Sequence, residues 1–137
     1  MSHNRTPKPD SPWYLPPNTY RTVVNYCYAY SELQTKLRDL DGMHSHEQDG
    51  MPRGNATSNP TEKEGMRRAE LSKKIQVIEH AVKAVVPEDL QLYLFMGVTD
   101  RQMTCMTLIH EYGMPIDKNA YSDLRRQVYY QVAERIM

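Results

Sequence analysis

The stretch TYRTVVNYCYAYSELQTKLRDLDG, residues 19–42, decides the class of fold. Its apolar positions Val23, Tyr26, Tyr30, Leu33, Leu37 and Leu40 are spaced alternately by three and four residues, which puts them on one stripe of an α-helix. A stripe that narrow resembles a coiled-coil seam and needs a matching stripe to cover it. The match lies downstream, where Leu71, Ile75, Ile78, Val82 and Val85 repeat the pattern. Asp41-Gly42 reads as the end of the first helix. Thr61-Glu62-Lys63-Glu64 reads as a capping box opening the second, in which the Thr hydroxyl takes an orphan amide and Glu64 reaches back. Between them, residues 41–60 carry Gly42, Gly50, Gly54 and two prolines, the composition of a long loop. Two complementary stripes joined by such a loop predict an antiparallel, coiled-coil-like helical hairpin over residues 19–86. Two helices alone bury little surface, so the hairpin is expected to pack on the C-terminal part or on a second copy, as in a homodimer.

Upstream of the hairpin, Pro7, Pro9, Pro12, Pro16 and Pro17 crowd the first 17 residues. Each fixes φ and removes a donor, so residues 1–18 read as an extended arm. Trp13, Tyr14 and Leu15 within it are expected to fold back as a clasp on the helical body.

Downstream, Pro87-Glu88-Asp89 is a helix start, with proline at the first position and carboxylates at the positive end of the dipole. The helix through Leu90, Leu92, Leu94, Phe95 and Met96 is apolar nearly all round, as expected of a buried element, and Gly97 reads as its stop. Thr99-Asp100-Arg101-Gln102 reads as a capping box for a helix reaching Tyr112, and Gly113 as a left-handed cap. A last helix from Asp117 to Ile136 has the core stripe Tyr121, Leu124, Val128 and Val132. Short helix, capped helix, glycine turn and longer helix are the order of a helix-turn-helix of the sigma-factor region 4 sort, over residues 87–137. On the last helix, Lys118, Ser122, Arg125, Arg126 and Tyr129 are expected to share a face distinct from the core stripe. Arg125 or Arg126 suits guanine or phosphate, while Ser122 and Asn119 suit backbone or base-edge contacts.

Three segments carry a resemblance to a known family. Asp49-Gly50-Met51-Pro52-Arg53-Gly54, then Ser58-Asn59-Pro60-Thr61, and finally Tyr121-Ser122-Asp123-Leu124-Arg125-Arg126-Gln127-Val128-Tyr129-Tyr130-Gln131-Val132-Ala133 resemble phage late-gene transcription regulators of the RinA/ArpU type. In those proteins a helical hairpin interrupted by such a loop precedes a sigma-like helix-turn-helix ending in an aromatic-rich helix with paired arginines. The resemblance covers roughly Tyr20 to Ile136. It implies a phage or prophage regulator that activates late genes by binding double-stranded promoter DNA, with host RNA polymerase as a further partner. Asp49, Gly50, Met51, Pro52 and Arg53 would be the signature loop. Asn59 stands where the family has Asp, Asp123 stands where a basic residue is commoner, and the turn over residues 114–119 is longer than a compact helix-turn-helix needs.

Charge shapes that expectation. The 137 residues hold 17 basic and 17 acidic side chains, so bulk charge does not drive coating of nucleic acid or an anionic membrane. From Pro87 onward five Lys/Arg face seven Asp/Glu, whereas residues 61–86 carry six basic and four acidic side chains. The second helix, with Arg53, Lys63, Arg67, Arg68, Lys73 and Lys74, could therefore offer a basic surface. With 39% hydrophobic residues and a mean hydropathy of −0.73, no run approaches the roughly 18–20 apolar residues of a membrane span.

No catalytic pattern is found: there is no phosphate-cradling glycine loop, nucleophile elbow or carboxylate pair, and the chain reads as a non-enzyme without cofactor. His44-Ser45-His46, with Glu47 and Asp49, reads as a loop rather than a metal site, and His110-Glu111 as a helix end. Cys27 and Cys105 are far apart without a C-x-x-C, which fits free thiols in a reducing compartment, and the start of the chain lacks a signal pattern. The expected location is the bacterial host cytoplasm. Two other functions suit the same pattern: a helical module docking on RNA polymerase without reading DNA, and a packaging protein resembling small terminase subunits.

Overall fold

The computed structural model describes the backbone of residues 9–46 and 58–137 and the side chains of residues 9–41 and 62–137. The described residues are all-α, with no strand among them. Six α-helices follow in order: α1 Pro17–Tyr28, α2 Tyr30–His46, α3 Ser58–Val85, α4 Gln91–Thr99, α5 Cys105–Tyr112 and α6 Lys118–Ile136, with a 3-10 turn Glu88–Leu90 leading into α4. The signature loop Asp49, Gly50, Met51, Pro52 and Arg53 lies outside the described residues, as do the side chains of His44 and His46.

The helices fall into two compact units, residues 1–29 with 77–137, and residues 30–76. This division differs from the one expected from the sequence, because α1 packs against α6 and α4 and so belongs with the C-terminal helices. The long first helix is in fact two. Ala29, at ψ −1, shares its N–H between the carbonyls of Asn25 (3.1 Å) and Tyr26 (3.2 Å), which tightens the last turn of α1 and ends it.

In the unit of residues 30–76, the expected stripes are buried at Tyr30, Leu33 and Leu40 on α2 and at Leu71 and Ile75 on α3. Asp41 pairs with Arg68 at 2.8 Å, an exposed bridge worth at most about 1 kcal/mol. Asp41-Gly42 does not end α2, which continues to His46. Likewise α3 starts at Ser58, so Thr61 is already inside the helix and cannot be its cap. Pro60 is tolerated there because amides in the first turn have no intrahelical acceptor.

The other unit holds the larger core. Its buried side chains include Tyr20, Val23, Val24 and Cys27 of α1, Leu94 and Val98 of α4, Leu108 of α5, and Tyr121, Val128, Tyr129, Val132 and Ala133 of α6, with Ile78, Ala81 and Val82 from the end of α3, and α1 packs on α4 and α6. Tyr20 and Tyr129 meet edge to face, with centroids 5.6 Å apart, a geometry worth roughly 0.5–1.5 kcal/mol beyond the area it buries. Residues 9–16 fold back as expected. Trp13 stands edge-on to Tyr130 at 5.7 Å, Leu15 is buried, and Ser11 accepts from the Trp13 amide through its hydroxyl and from the Tyr14 amide through its carbonyl.

Three expectations for the C-terminal half need correction. Gly97 does not stop its helix; it is buried inside α4, where a Cβ would collide with the Tyr121 hydroxyl and lie 2.9 Å from Tyr121 Cζ. Glycine is required here by close approach, not by turn geometry. Second, α4 is not apolar all round in a buried setting, since Leu92 is 66% exposed. Third, Thr99–Gln102 is not the start of α5. The Thr99 hydroxyl donates back to the Phe95 carbonyl (2.7 Å), Asp100 accepts from the Gln102 amide (2.9 Å), and the real N-cap is Thr104, whose hydroxyl accepts from the Thr107 amide at 3.1 Å.

Gly97→Ala is therefore expected to cost about 1–3 kcal/mol in urea unfolding. Tyr121→Phe, which removes the colliding oxygen, should recover part of the loss in the double variant. Gly65→Ala, on exposed α3 with nothing within 4 Å of its would-be Cβ, should instead stabilise by about 0.5–1 kcal/mol. Equal effects at the two glycines would contradict the close-approach account.

Candidate nucleic-acid interface

The segment expected to meet DNA is α5, the connection over residues 113–117, and α6. The Gly113 cap is as predicted, with φ 71 and ψ 29, and the Leu108 carbonyl accepts from the amides of both Gly113 and Met114, the latter at 3.0 Å, across the left-handed turn. Asp117 caps α6, its carboxylate accepting from the Ala120 amide at 2.8 Å. That carboxylate occupies the helix N-terminus and repels any phosphate approaching the α6 dipole head-on, so an anion has to be met by side chains along the helix.

Those side chains divide. Lys118 and Asn119 are exposed in the first turn, and Ser122, Arg125 and Arg126 are half-buried. Tyr129 departs from the expected face: it is 0% exposed, packed on Tyr20, and its hydroxyl has no hydrogen-bond partner among the described residues. The buried stripe is wider than Tyr121, Leu124, Val128 and Val132, because it also takes in Tyr129 and Ala133, whereas Leu124 is only half-buried. Counting Tyr129 and Ala133 along with the stripe would have shown this from the sequence. Arg125 lies over the Tyr121 ring, 5.4 Å from its centroid. Further along the helix, Gln127 donates to Asp123 (2.9 Å), and the Arg135 guanidinium is tied to Gln131, both to its carbonyl (3.1 Å) and to its side-chain oxygen (2.6 Å). Arg101, which follows α4, rests on the Tyr28 ring at 4.5 Å.

No other chemistry is assembled nearby. Groups of three or more metal-ligating side chains do not occur among the described residues, and His110 and Glu111 are exposed. No helix of the described residues is long and apolar enough to cross a membrane. Cys27 is a buried free thiol and Cys105 a half-buried one at the start of α5. No family model, curated protein or solved structure matches the chain.

The core beneath α6 is sensitive to alkali. Burial pushes the Cys27 thiol up from 9.0 to about 12 and the Tyr121 phenol up to about 12, and raises Tyr129 well above 10.0, in each case because the anion would lose its hydration. The Arg125 charge offsets only part of this at the two tyrosines. These groups stay protonated in the folded chain at pH values where the unfolded chain has released the proton. Their contribution to stability is thus complete below about pH 9 and is lost as pH rises from 9 toward 12. Urea midpoints should be flat from pH 7 to about 8.5 and fall above 9, and Cys27→Ala should move the onset toward 10. A midpoint unchanged at pH 11 would contradict the burial of these groups.

Proposed function

We propose that the chain is a phage or prophage transcription regulator, an activator of late genes, that binds promoter DNA through a helix-turn-helix made by α5, the glycine-capped turn and α6. The observation that carries this reading is the sequence of caps that aims α6. Left-handed Gly113 ends α5, Asp117 starts α6, and α5 packs on both α4 and α6. Lys118 and Asn119 are thereby exposed at the leading end of α6, with Ser122 and Arg126 one and two turns behind them. In this reading Lys118 and Arg126 meet phosphates and fix register, and Asn119 and Ser122 face base edges. The resemblance of the loop Asp49–Arg53 and of the paired-arginine helix to RinA/ArpU-type regulators supports the phage context.

The acidic residues limit the mode of binding. Asp117 and Asp123 sit on the same helix as the cations, so non-specific affinity is weak, and useful specificity comes from two copies, from promoter shape or from contacts with RNA polymerase. One observation favours polymerase docking as a second reading. In the unit of residues 30–76, Lys36, Lys63 and Arg67 surround a recess of about 280 Å³ with Leu40, Asp39 and Glu64, a mixed cationic and apolar surface suited to an acidic helix of a partner.

Fluorescence anisotropy with the late-promoter duplex of the phage or prophage carrying this gene, against a scrambled duplex over a salt series, tests the leading reading. Preference for the promoter is expected, with affinity falling as salt rises. Lys118→Ala and Arg126→Ala should each flatten the log–log slope by about 0.9. Equal affinity for both duplexes would overturn the reading. Capture of polymerase by the full chain without promoter preference would favour the second.

A further inference from the structure

The two adjacent arginines of α6 stand in different surroundings. At about 100° per residue, the buried side chains Tyr121, Val128, Tyr129 and Val132 all fall within roughly 60° of Arg125, on both sides of it. Arg125 is thus at the middle of the buried face. Arg126 is turned about 100° away, at the margin, on the side of Ser122 and Asn119.

Local contacts agree with that placement. The Arg125 guanidinium lies 5.4 Å from the centroid of Tyr121, and its Nε is buried. Its charge reaches Tyr20 of α1 as well as Tyr121 and Tyr129, opposing at all three the rise that burial imposes. A guanidinium suits such a position. It is planar, weakly hydrated and stacks on an aromatic face, whereas an ammonium is compact and strongly hydrated and loses more on leaving water.

We propose that Arg125 is a positioning residue, its stem and Nε held in the middle of the buried face of α6 so that the helix seats with that face inward, and that Arg126 is the arginine of the pair that meets a DNA phosphate. The second half rests on the DNA-binding reading; the first does not. That seating matters because a helix turned by one residue would carry Arg126 and Ser122 through about 100° and exchange the surface it presents.

The test uses full-length Arg125→Lys, Arg125→Gln and Arg126→Gln, with two readouts for each: the urea midpoint, and the salt dependence of binding to the promoter duplex. Both Arg125 variants are expected to unfold at lower urea than the parent chain, while Arg126→Gln unfolds with it. Arg126→Gln should flatten the salt slope by about 0.9, and Arg125→Lys should keep the parental slope. If Arg125 were an exposed phosphate contact, by contrast, Arg125→Lys would keep both the salt slope, which follows charge, and the parental urea midpoint. Arg125→Lys with the parental midpoint overturns the proposal, as does an Arg125→Gln slope flattened by about 0.9 at an unchanged midpoint. Failure of Arg125→Gln to fold while Arg126→Gln folds is the extreme form of the expected result. If the parent chain shows no promoter preference, the DNA reading falls and the urea midpoints alone decide the role of Arg125.

Discussion

The fold of the larger unit depends on how close α6 can come to α4 and α1. Tyr121 reaches α4 only because residue 97 has no Cβ, and eight residues further on Tyr129 meets Tyr20 of α1 edge to face. Two aromatic side chains on one face, two turns apart, give α6 a fixed height and a fixed rotation. The rest follows from that seat. Val128, Val132 and Ala133 are brought into the same core, Leu108 anchors α5 beside it, and Tyr130 is left at the edge for Trp13 to cover. The cost is two buried phenol hydroxyls, of Tyr121 and Tyr129, without a hydrogen-bond partner among the described residues, tolerated because the hydroxyl of a tyrosine is a small part of a large apolar surface.

Much of this was legible in the sequence. The three- and four-residue spacing marked Tyr30, Leu33, Leu40, Leu71, Ile75, Ile78 and Val82 as buried, and Gly113 announced a positive φ that the backbone adopts. What escaped was set by tertiary packing. Gly97 reads as a stop because glycine is a poor helix former, yet the approach of Tyr121 outweighs that preference. The end of α1 at Ala29 carries no glycine or proline to mark it; it shows only in an amide shared between two carbonyls. Thr99 and Thr104 are the same residue type, but one hydroxyl turns back to a carbonyl and the other accepts from an amide, so only the second caps a helix. Composition could not separate Arg125 from Arg126, since the distinction lies in where Tyr129 and Ala133 point.

Zero net charge takes on a different meaning once the side chains are placed. On α6, Asp117 is engaged as a cap, Arg135 is folded onto Gln131 and Arg125 lies over Tyr121, which leaves Lys118, exposed in the first turn, and Arg126, at the margin of the buried face, as the other cations. Under the proposed DNA-binding reading, a helix with two such cations beside two acids would attract DNA weakly and depend on geometry for selectivity. That is why the rotation of α6, and the core that sets it, bear on function as much as the exposed residues do.

The central structural claim is that α1 forms one cooperative core with α4 and α6 rather than belonging to a separate N-terminal hairpin with α2. Native-state hydrogen exchange under increasing urea measures this directly. Amides of α1 around Val23, Val24 and Cys27 should merge with those of α6 around Val128 and Val132 into one opening isotherm, at the highest free energy in the chain. Merging of the α1 amides with those of α2 instead, at a lower free energy than α6, would contradict the account.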